Sequence, residues 1–166
     1  MKRLWAPWRV KYVTGLRKKQ KGCVFCRILR AKSDTKNYIF KRGKLCYAVL
    51  NIYPYNNGHV LIVPNKHARD LNFLTKKEKE ELYGLLEEVK GYLDKVLRPN
   101  GYNVGMNIGK FAGAGFPGHL HIHVVPRWGG DVNFMPVIGN TKVVSQSLAA
   151  VFSQLKKCAL AKKSKR

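Results

Sequence analysis

Short runs in which apolar and polar residues alternate recur along this chain, and a two-residue period is typical of half-buried β-strands. We predict five strands, over residues 38–42, 45–51, 59–64, 102–107 and 119–125. Gly43 lies in the short polar stretch between the first two runs, which predicts a β-hairpin. Asn56, Asn57 and Gly58 form the turn that we expect ahead of the third strand.

A longer pattern at helical spacing lies between the third and fourth strands. It begins with Thr75-Lys76-Lys77-Glu78, a capping box in which threonine and glutamate satisfy the first backbone N–H groups. Apolar residues then recur every three or four positions up to Leu97. Shorter patterns predict one helix over residues 26–31 and a C-terminal helix over residues 141–161. Hairpin-connected strands with one long inserted helix indicate an antiparallel α+β domain.

The length of 166 residues predicts a single domain over residues 1–166, with an N-terminal arm at 1–21 and a basic tail at 162–166. No run of residues approaches the roughly 18 consecutive apolar positions that a membrane span needs. The first residues also lack the apolar core of a signal peptide. We therefore expect a cytoplasmic protein without a membrane partner.

The charge is strongly positive: 32 Lys and Arg residues oppose 9 Asp and Glu residues, a formal net charge of +23. Such a field attracts polyanions, including nucleotides and nucleic acids. Much of the excess lies in the runs 17–21 and 162–166, which are typical of solvated tails. A basic, zinc-bearing nucleic-acid-binding module is the alternative of another class, but no base-reading motif supports it.

Three histidines, His119, His121 and His123, alternate with aliphatic residues, so a strand would place them on one face. Imidazole titrates near neutrality and can act as a nucleophile, a hydrogen-bond donor or a metal ligand. His121 is the candidate nucleophile that would attack phosphorus and form a phosphoramidate. His123 would then donate to phosphoryl oxygens. A zinc site that uses all three rings is the alternative.

A glycine-rich loop, residues 107–118, precedes the histidines. Glycines let backbone N–H groups approach an anion, and Lys110 adds a positive charge. We predict a phosphate cradle that includes Gly109, Lys110 and Gly115, with Arg127 as a further cation for an acceptor phosphate. The loop is not a Walker motif, because no Gly-Lys-Ser/Thr follows at the required spacing.

Cys23 and Cys26 form a thiol pair whose spacing is typical of zinc binding or of redox chemistry. No apolar strand precedes the pair, which favours zinc. Asn51 ends a predicted strand and would either bind ribose hydroxyls or form a turn. His59 would be either a fourth imidazole of the active site or a structural residue.

The alternating histidines match the pattern His-φ-His-φ-His-φ-φ, in which φ is apolar, and the chain therefore resembles the histidine-triad (HIT) family. Residues 50–64, with Asn51 and Gly58-His59, are similar to the family's other recurring segment. Residues 4–9 and 130–135 resemble the bacterial ATP adenylyltransferase, or diadenosine tetraphosphate phosphorylase, branch. The resemblance covers residues 4 to 135, approximately.

This resemblance implies a five-stranded antiparallel sheet, paired with a second sheet in a homodimer. It also implies that His121 is the nucleophile and that Asn107 contacts the phosphate chain of a nucleotide. The implied metal is a structural zinc ion, which would fix the first histidine of the triad and so orient His121. The implied ligands are Cys23, Cys26, His67 and His119.

The implied reaction is cleavage of a dinucleoside polyphosphate through an AMP–histidine intermediate, with phosphate favoured over water as the acceptor. The alternative within the family is a hydrolase of nucleoside phosphoramidates or dinucleoside polyphosphates. The chain departs from some family branches at Gly115, Phe116 and Pro117, where those branches carry a serine that assists the leaving group. Trp128, Asp131 and Asn133 would cover the substrate or complete a dimer contact.

Overall fold

The computed structural model describes residues 22–31, 33–131 and 143–161, and within them five strands form one sheet. The helices are α1 (Val24–Arg30), α2 (Lys76–Leu97) and α3 (Leu148–Ala161). The strands are β1 (Ile39–Arg42), β2 (Cys46–Leu50), β3 (Val60–Pro64), β4 (Gly101–Met106) and β5 (Ile122–Arg127). Short 3₁₀ turns cover Leu71–Phe73 and Lys110–Ala112.

The sheet has the order β1-β2-β3-β5-β4, and every neighbouring pair is antiparallel. This confirms the predicted α+β class and the hairpin between β1 and β2. β3 lies directly beside β5, with Leu61 opposite His123. The register therefore brings the segment that precedes β3 next to the histidine motif.

Both faces of the sheet are covered. Side chains of the central strands point alternately to the two faces, and each face carries its own apolar cluster. On one face, α2 and α3 pack on residues such as Ala48 and Ile62. Leu120, Ile122 and Val124, which alternate with the histidines, join this cluster. The other cluster contains Phe25 of α1 together with Ile39, Tyr47, Val49, Leu61 and Val63. The histidines at odd positions lie on the side of α1, because His123 pairs with Leu61 of that cluster.

The long helix begins where the capping box predicts. Thr75 Oγ1 accepts from the N–H of Glu78, while Glu78 Oε2 accepts from the N–H of Thr75. Arg98 ends α2 in the left-handed conformation, with φ of 48°. The buried side chains of α2 lie at helical spacing and face the sheet: Leu82, Leu85, Val89, Tyr92 and Leu93.

Three predicted starts were wrong by two residues or more. The last strand begins at Ile122, so His119 and His121 precede it and lie outside the strand ladder; the N–H of Leu120 donates to the carbonyl oxygen of Ala68 instead. The C-terminal helix begins at Leu148, because Ser147 Oγ accepts from the N–H of Ala150 and caps it. The first helix begins at Val24 rather than at residue 26.

Some predictions fall on residues outside the described part of the chain. These are the N-terminal arm at 1–21, the start of the C-terminal pattern at 141–142, Asn133 and the tail at 162–166. Among the described residues, no helix has both the length and the apolar composition to cross a membrane. The cytoplasmic location and the single domain over residues 1–166 stay predictions.

Candidate active site and metal centre

The backbone ahead of β5 determines the tautomer of His121. Nδ1 of His121 lies 2.9 Å from the carbonyl oxygen of His119, and a carbonyl only accepts, so Nδ1 carries the proton. Nε2 of the neutral ring then holds a lone pair. Burial lowers the pKa of His121, although the bond to the His119 carbonyl opposes this effect. The imidazole is therefore neutral at pH 7 and suited to nucleophilic attack.

His59 is hydrogen-bonded to the third histidine of the motif. Its Nδ1 faces two donors, the backbone N–H of Tyr55 at 3.1 Å and Nδ2 of Asn51 at 3.3 Å. Nδ1 is therefore the acceptor of the ring, and Nε2 carries the proton. His59 Nε2 lies 2.9 Å from Nδ1 of His123 and donates to it. His123 consequently carries its own proton on Nε2.

Burial maintains the neutral state of both rings in this pair. Burial, together with smaller effects of the neighbouring His123 and His121, lowers the pKa of His59 to about 3. It likewise lowers the pKa of His123 to about 4, with a smaller effect from His121. Neutral rings are required here, because a protonated His123 would have no lone pair to accept from His59.

Two aromatic rings border the imidazoles. The ring of Tyr55 is stacked on His123, with centroids 5.5 Å apart and an interplanar angle of 12°, and it also contacts His59 at 4.6 Å. The ring of Phe25 lies 5.0 Å from that of His121 and 5.4 Å from that of His119. These rings shield the histidine bonds from water.

Four side chains converge beside α1, and all of their ligand atoms lie within 4.8 Å of one another. They are Cys23, Cys26, His67 and His119. Nδ1 of His119 lies 3.3 Å from Sγ of Cys23 and 3.6 Å from Sγ of Cys26. Nδ1 of His67 lies 3.4 Å from Sγ of Cys26 and 3.2 Å from Nδ1 of His119. A tetrahedral zinc site places its donor atoms about 3.3–3.8 Å apart, so this set fits zinc.

The remaining contact of His119 also suits a metal ligand. Its Nε2 lies 2.9 Å from the carbonyl oxygen of Pro64, so Nε2–H donates and Nδ1 keeps its lone pair. Burial lowers the pKa of His119, which favours the neutral ring that a metal needs. His121 donates to the carbonyl of this same residue. A metal on His119 would therefore fix the acceptor that sets the tautomer of His121.

Comparison with known proteins identifies the family. A match to the HIT domain covers residues 32–130. The chain belongs to the HIT family. An AP-4-A phosphorylase of Mycobacterium tuberculosis is 42% identical over 155 residues, which are 89% of this chain and 79% of that protein.

More distant HIT proteins share parts of the chain or its fold. The asymmetrical bis(5'-nucleosyl)-tetraphosphatase of Schizosaccharomyces pombe is 33% identical over 97 residues, 58% of this chain and 53% of that protein. A Zn-bound histidine triad family protein of Mycobacterium smegmatis has a TM-score of 0.69 at 23% identity, covering 87% of this chain and 98% of its own. This likeness confirms the HIT fold.

The glycine-rich loop adjoins the triad, because the carbonyl oxygen of Phe116 accepts from the N–H of His119 at 3.3 Å. Asn107, Gly109, Lys110 and Gly115 form no hydrogen bond to the triad among the residues that the structure describes. Lys110 opens an exposed 3₁₀ turn, and Gly109 and Gly113 flank it with φ of 86° and 81°. The nucleotide-binding role of the loop stays a prediction.

Two open predictions receive a structural account. Asn51 forms a turn, because its Oδ1 accepts from the N–H of Tyr53 at 3.0 Å; contact with ribose stays a prediction. The contact of an acceptor phosphate with Arg127 stays a prediction, and the structure gives this side chain partners within the protein. Its Nε and one terminal nitrogen donate to the carboxylate of Asp131, and the other terminal nitrogen donates to Asn103.

The sequence did not reveal the contacts of Phe25, Tyr55 or Asn56 in this HIT site. Phe25 lies between the two cysteines in the sequence. Its apolar side chain at this position was the available sign that it packs beside the site. Asn56 was read as a turn residue, but its Nδ2 donates to the carbonyl of Pro126 and to Asp131. Long-range partners of this kind leave no local pattern in a sequence.

Proposed function

We propose that this protein cleaves dinucleoside polyphosphates of the diadenosine tetraphosphate type through an AMP–His121 intermediate, with phosphate as the preferred acceptor. The observation that carries the proposal is the pair of matched tautomers. His121 has Nδ1–H on a backbone carbonyl and a lone pair on Nε2, while His123 has a proton on Nε2. The 42% identity to an AP-4-A phosphorylase supports the substrate class.

In the first displacement, Nε2 of His121 forms a bond to the α-phosphorus, and the bond from phosphorus to the leaving oxygen breaks. For diadenosine tetraphosphate the leaving group is ATP, which departs with the electron pair. His121 becomes an N-phosphorylated imidazolium whose Nδ1–H still donates to the carbonyl of His119. His123 Nε2–H donates to a phosphoryl oxygen as negative charge develops.

In the second displacement, an oxygen of inorganic phosphate attacks the same phosphorus and the bond to Nε2 breaks. ADP is released, and His121 returns to its neutral state with the proton on Nδ1. Lys110 and the backbone N–H groups of residues 113–116 and 118 are the groups we assign to the acceptor phosphate. Water gains little from such donors, whereas a dianion is bound and aligned.

We propose that Cys23, Cys26, His67 and His119 hold one structural zinc ion. Their donor atoms lie within 4.8 Å of one another and supply two sulfur and two nitrogen ligands, a set that zinc prefers. When bound, the ion would crosslink α1 to the segment ahead of β5 through its ligands. It takes no part in bond breaking in this scheme. Its function is to fix His119, and through the His119 carbonyl to orient His121.

A homodimer through β4 is also proposed. β4 is an edge strand of the sheet, and Val104 on it is 46% exposed. Ile108 and Phe111 follow the strand and are exposed as well. An exposed edge with apolar side chains is a template for pairing with a second copy. Light scattering of the purified protein tests the proposal: a mass of one chain contradicts it.

The products of diadenosine tetraphosphate cleavage, with and without inorganic phosphate, test the proposed reaction. We expect ADP and ATP only when phosphate is present. AMP and ATP, formed equally fast without phosphate, would contradict phosphorolysis and make the protein a hydrolase. The variant Lys110→Ala should raise the KM for phosphate more than the KM for the nucleotide, with Lys90→Ala on α2 as the matched control.

A further inference from the structure

The carboxylate of Asp131 joins the end of β5 to the loop that precedes β3. Its Oδ2 accepts from Nδ2 of Asn56 at 2.7 Å, from Nε of Arg127 at 2.7 Å and from the N–H of Trp128 at 3.2 Å. Its Oδ1 accepts from a terminal nitrogen of Arg127 at 2.9 Å. The side chain of Asp131 is 8% exposed, so these bonds are shielded from solvent. Asp131 also lies just beyond the HIT-domain match at 32–130.

Asn56 links Asp131 to the loop whose backbone contacts His59. It is 6% exposed, and its Nδ2 donates both to Asp131 and to the carbonyl of Pro126 at 3.0 Å. The preceding residue, Tyr55, supplies the backbone N–H that donates to Nδ1 of His59. The position of that N–H therefore depends on an anchor that Asp131 and the end of β5 provide.

We propose that Asn56 and Asp131 are positioning residues that select the tautomers of His59 and His123. If the N–H of Tyr55 moves away, Nδ1 of His59 keeps only the longer bond from Nδ2 of Asn51, at 3.3 Å. The tautomer with the proton on Nδ1 and Nε2 as the acceptor then becomes more populated. His123 then donates from Nδ1 and loses the proton on Nε2. The catalytic consequence rests on the proposed function, in which that Nε2–H donates to phosphoryl oxygens. The tautomer selection itself does not rest on it.

The test compares Asn56→Ala and Asp131→Asn with the control Asn100→Ala in the full-length, zinc-loaded protein. Asn100 Oδ1 accepts from the N–H of Gly129 at 2.9 Å, so the control breaks a bond in the same turn without touching the loop before β3. Imidazole ¹⁵N NMR at pH 7.5 reports which ring nitrogen carries the proton. Thermal unfolding identifies any variant that fails to fold, and Asp131→Asn keeps the shape of the side chain.

We expect wild type and Asn100→Ala to show protonated Nε2 on both His59 and His123. Both test variants should show mixed or inverted tautomers. Their kcat should fall by up to about tenfold, and their KM should stay within about twofold of the wild-type value. Unchanged tautomers in Asn56→Ala and Asp131→Asn would overturn the proposal, as would the same change in Asn100→Ala. Because the NMR readout needs no turnover, failure of the proposed reaction would leave this result intact.

Discussion

Nε2 of His59, the residue immediately ahead of β3, donates to Nδ1 of His123 on the neighbouring strand β5 across 2.9 Å. This one bond determines which nitrogen of His123 can donate to a substrate. His59 is fully buried, at 0% exposure, so no water molecule from bulk solvent can replace it as the donor. The fourth imidazole is therefore part of the hydrogen-bond network of the histidine triad.

Replacement of His59 tests this relationship. His59→Ala should lower kcat about ten- to a hundredfold with little change in KM, because His123 loses the donor that fixes its tautomer. Steady-state kinetics with diadenosine tetraphosphate and phosphate provide the measurement, and circular dichroism checks the fold. A variant with the wild-type kcat would show that His123 does not depend on His59.

Acid should destabilise the protein through the same pair. The pKa values of His123 and His59 in the folded state, about 4 and about 3, lie below the ordinary value of 6.5. The unfolded chain therefore binds more protons between pH 6.5 and pH 4, and the free energy of unfolding falls as the pH falls through this window. Each histidine contributes a slope of roughly 1 kcal/mol per pH unit.

Urea unfolding at a series of pH values measures this slope. His123→Asn should show a shallower dependence than wild type, since one of the two groups is removed. The comparison isolates His123, because loss of metal at low pH affects both proteins. Equal slopes would contradict the neutral, buried state of the ring.

Metal analysis tests the zinc proposal. We expect about one zinc ion per chain in wild type. Cys26→Ser should lose the metal and lower Tm by about 5–10 °C, because a ligand of a closed site is lost. Cys158→Ser, at a partly buried cysteine of α3, is the matched control and should keep both metal and Tm. Metal-free wild type, prepared without chelators, would refute the proposal.

Gly43 provides a test of the hairpin packing. A Cβ at this position would collide with Oε1 of Glu81, which accepts from the N–H groups of Leu45 and Cys46 and cannot move away freely. Gly43→Ala should therefore cost about 1–3 kcal/mol of stability. Gly84→Ala on α2, where nothing lies within 4 Å, should stabilise by up to about 1 kcal/mol. Equal effects of both substitutions in urea unfolding would contradict this packing.

The fold could be predicted from local patterns because its strands and long helix have clear periodicity. The capping box at Thr75 and Glu78 located the start of α2 to the residue. The start of β5 could not be predicted, because His119 and His121 continue the alternation while their backbone has no strand partner. Val144 likewise extends the helical pattern, although the cap at Ser147 starts α3 later.

The four candidate metal ligands were predicted through family resemblance, and the structure brings all of them together. Spacing alone identified Cys23 and Cys26, but no local pattern joins them to His67. The links from Asp131 to Asn56 and from Tyr55 to His123 connect residues more than 60 positions apart, by a side-chain bond and a ring contact. Such pairs become visible when the register of β3 and β5 is known.

Detection of the covalent intermediate tests the central claim most directly. The protein is mixed briefly with labelled diadenosine tetraphosphate in the absence of phosphate, quenched at alkaline pH, digested and analysed by mass spectrometry. We expect the mass of one AMP on the peptide that carries His121, fragmentation that places it on this residue, and its loss as labelled ADP when phosphate is added. His121→Ala should carry no label. Turnover without any labelled peptide, or label that persists in His121→Ala, would contradict the account.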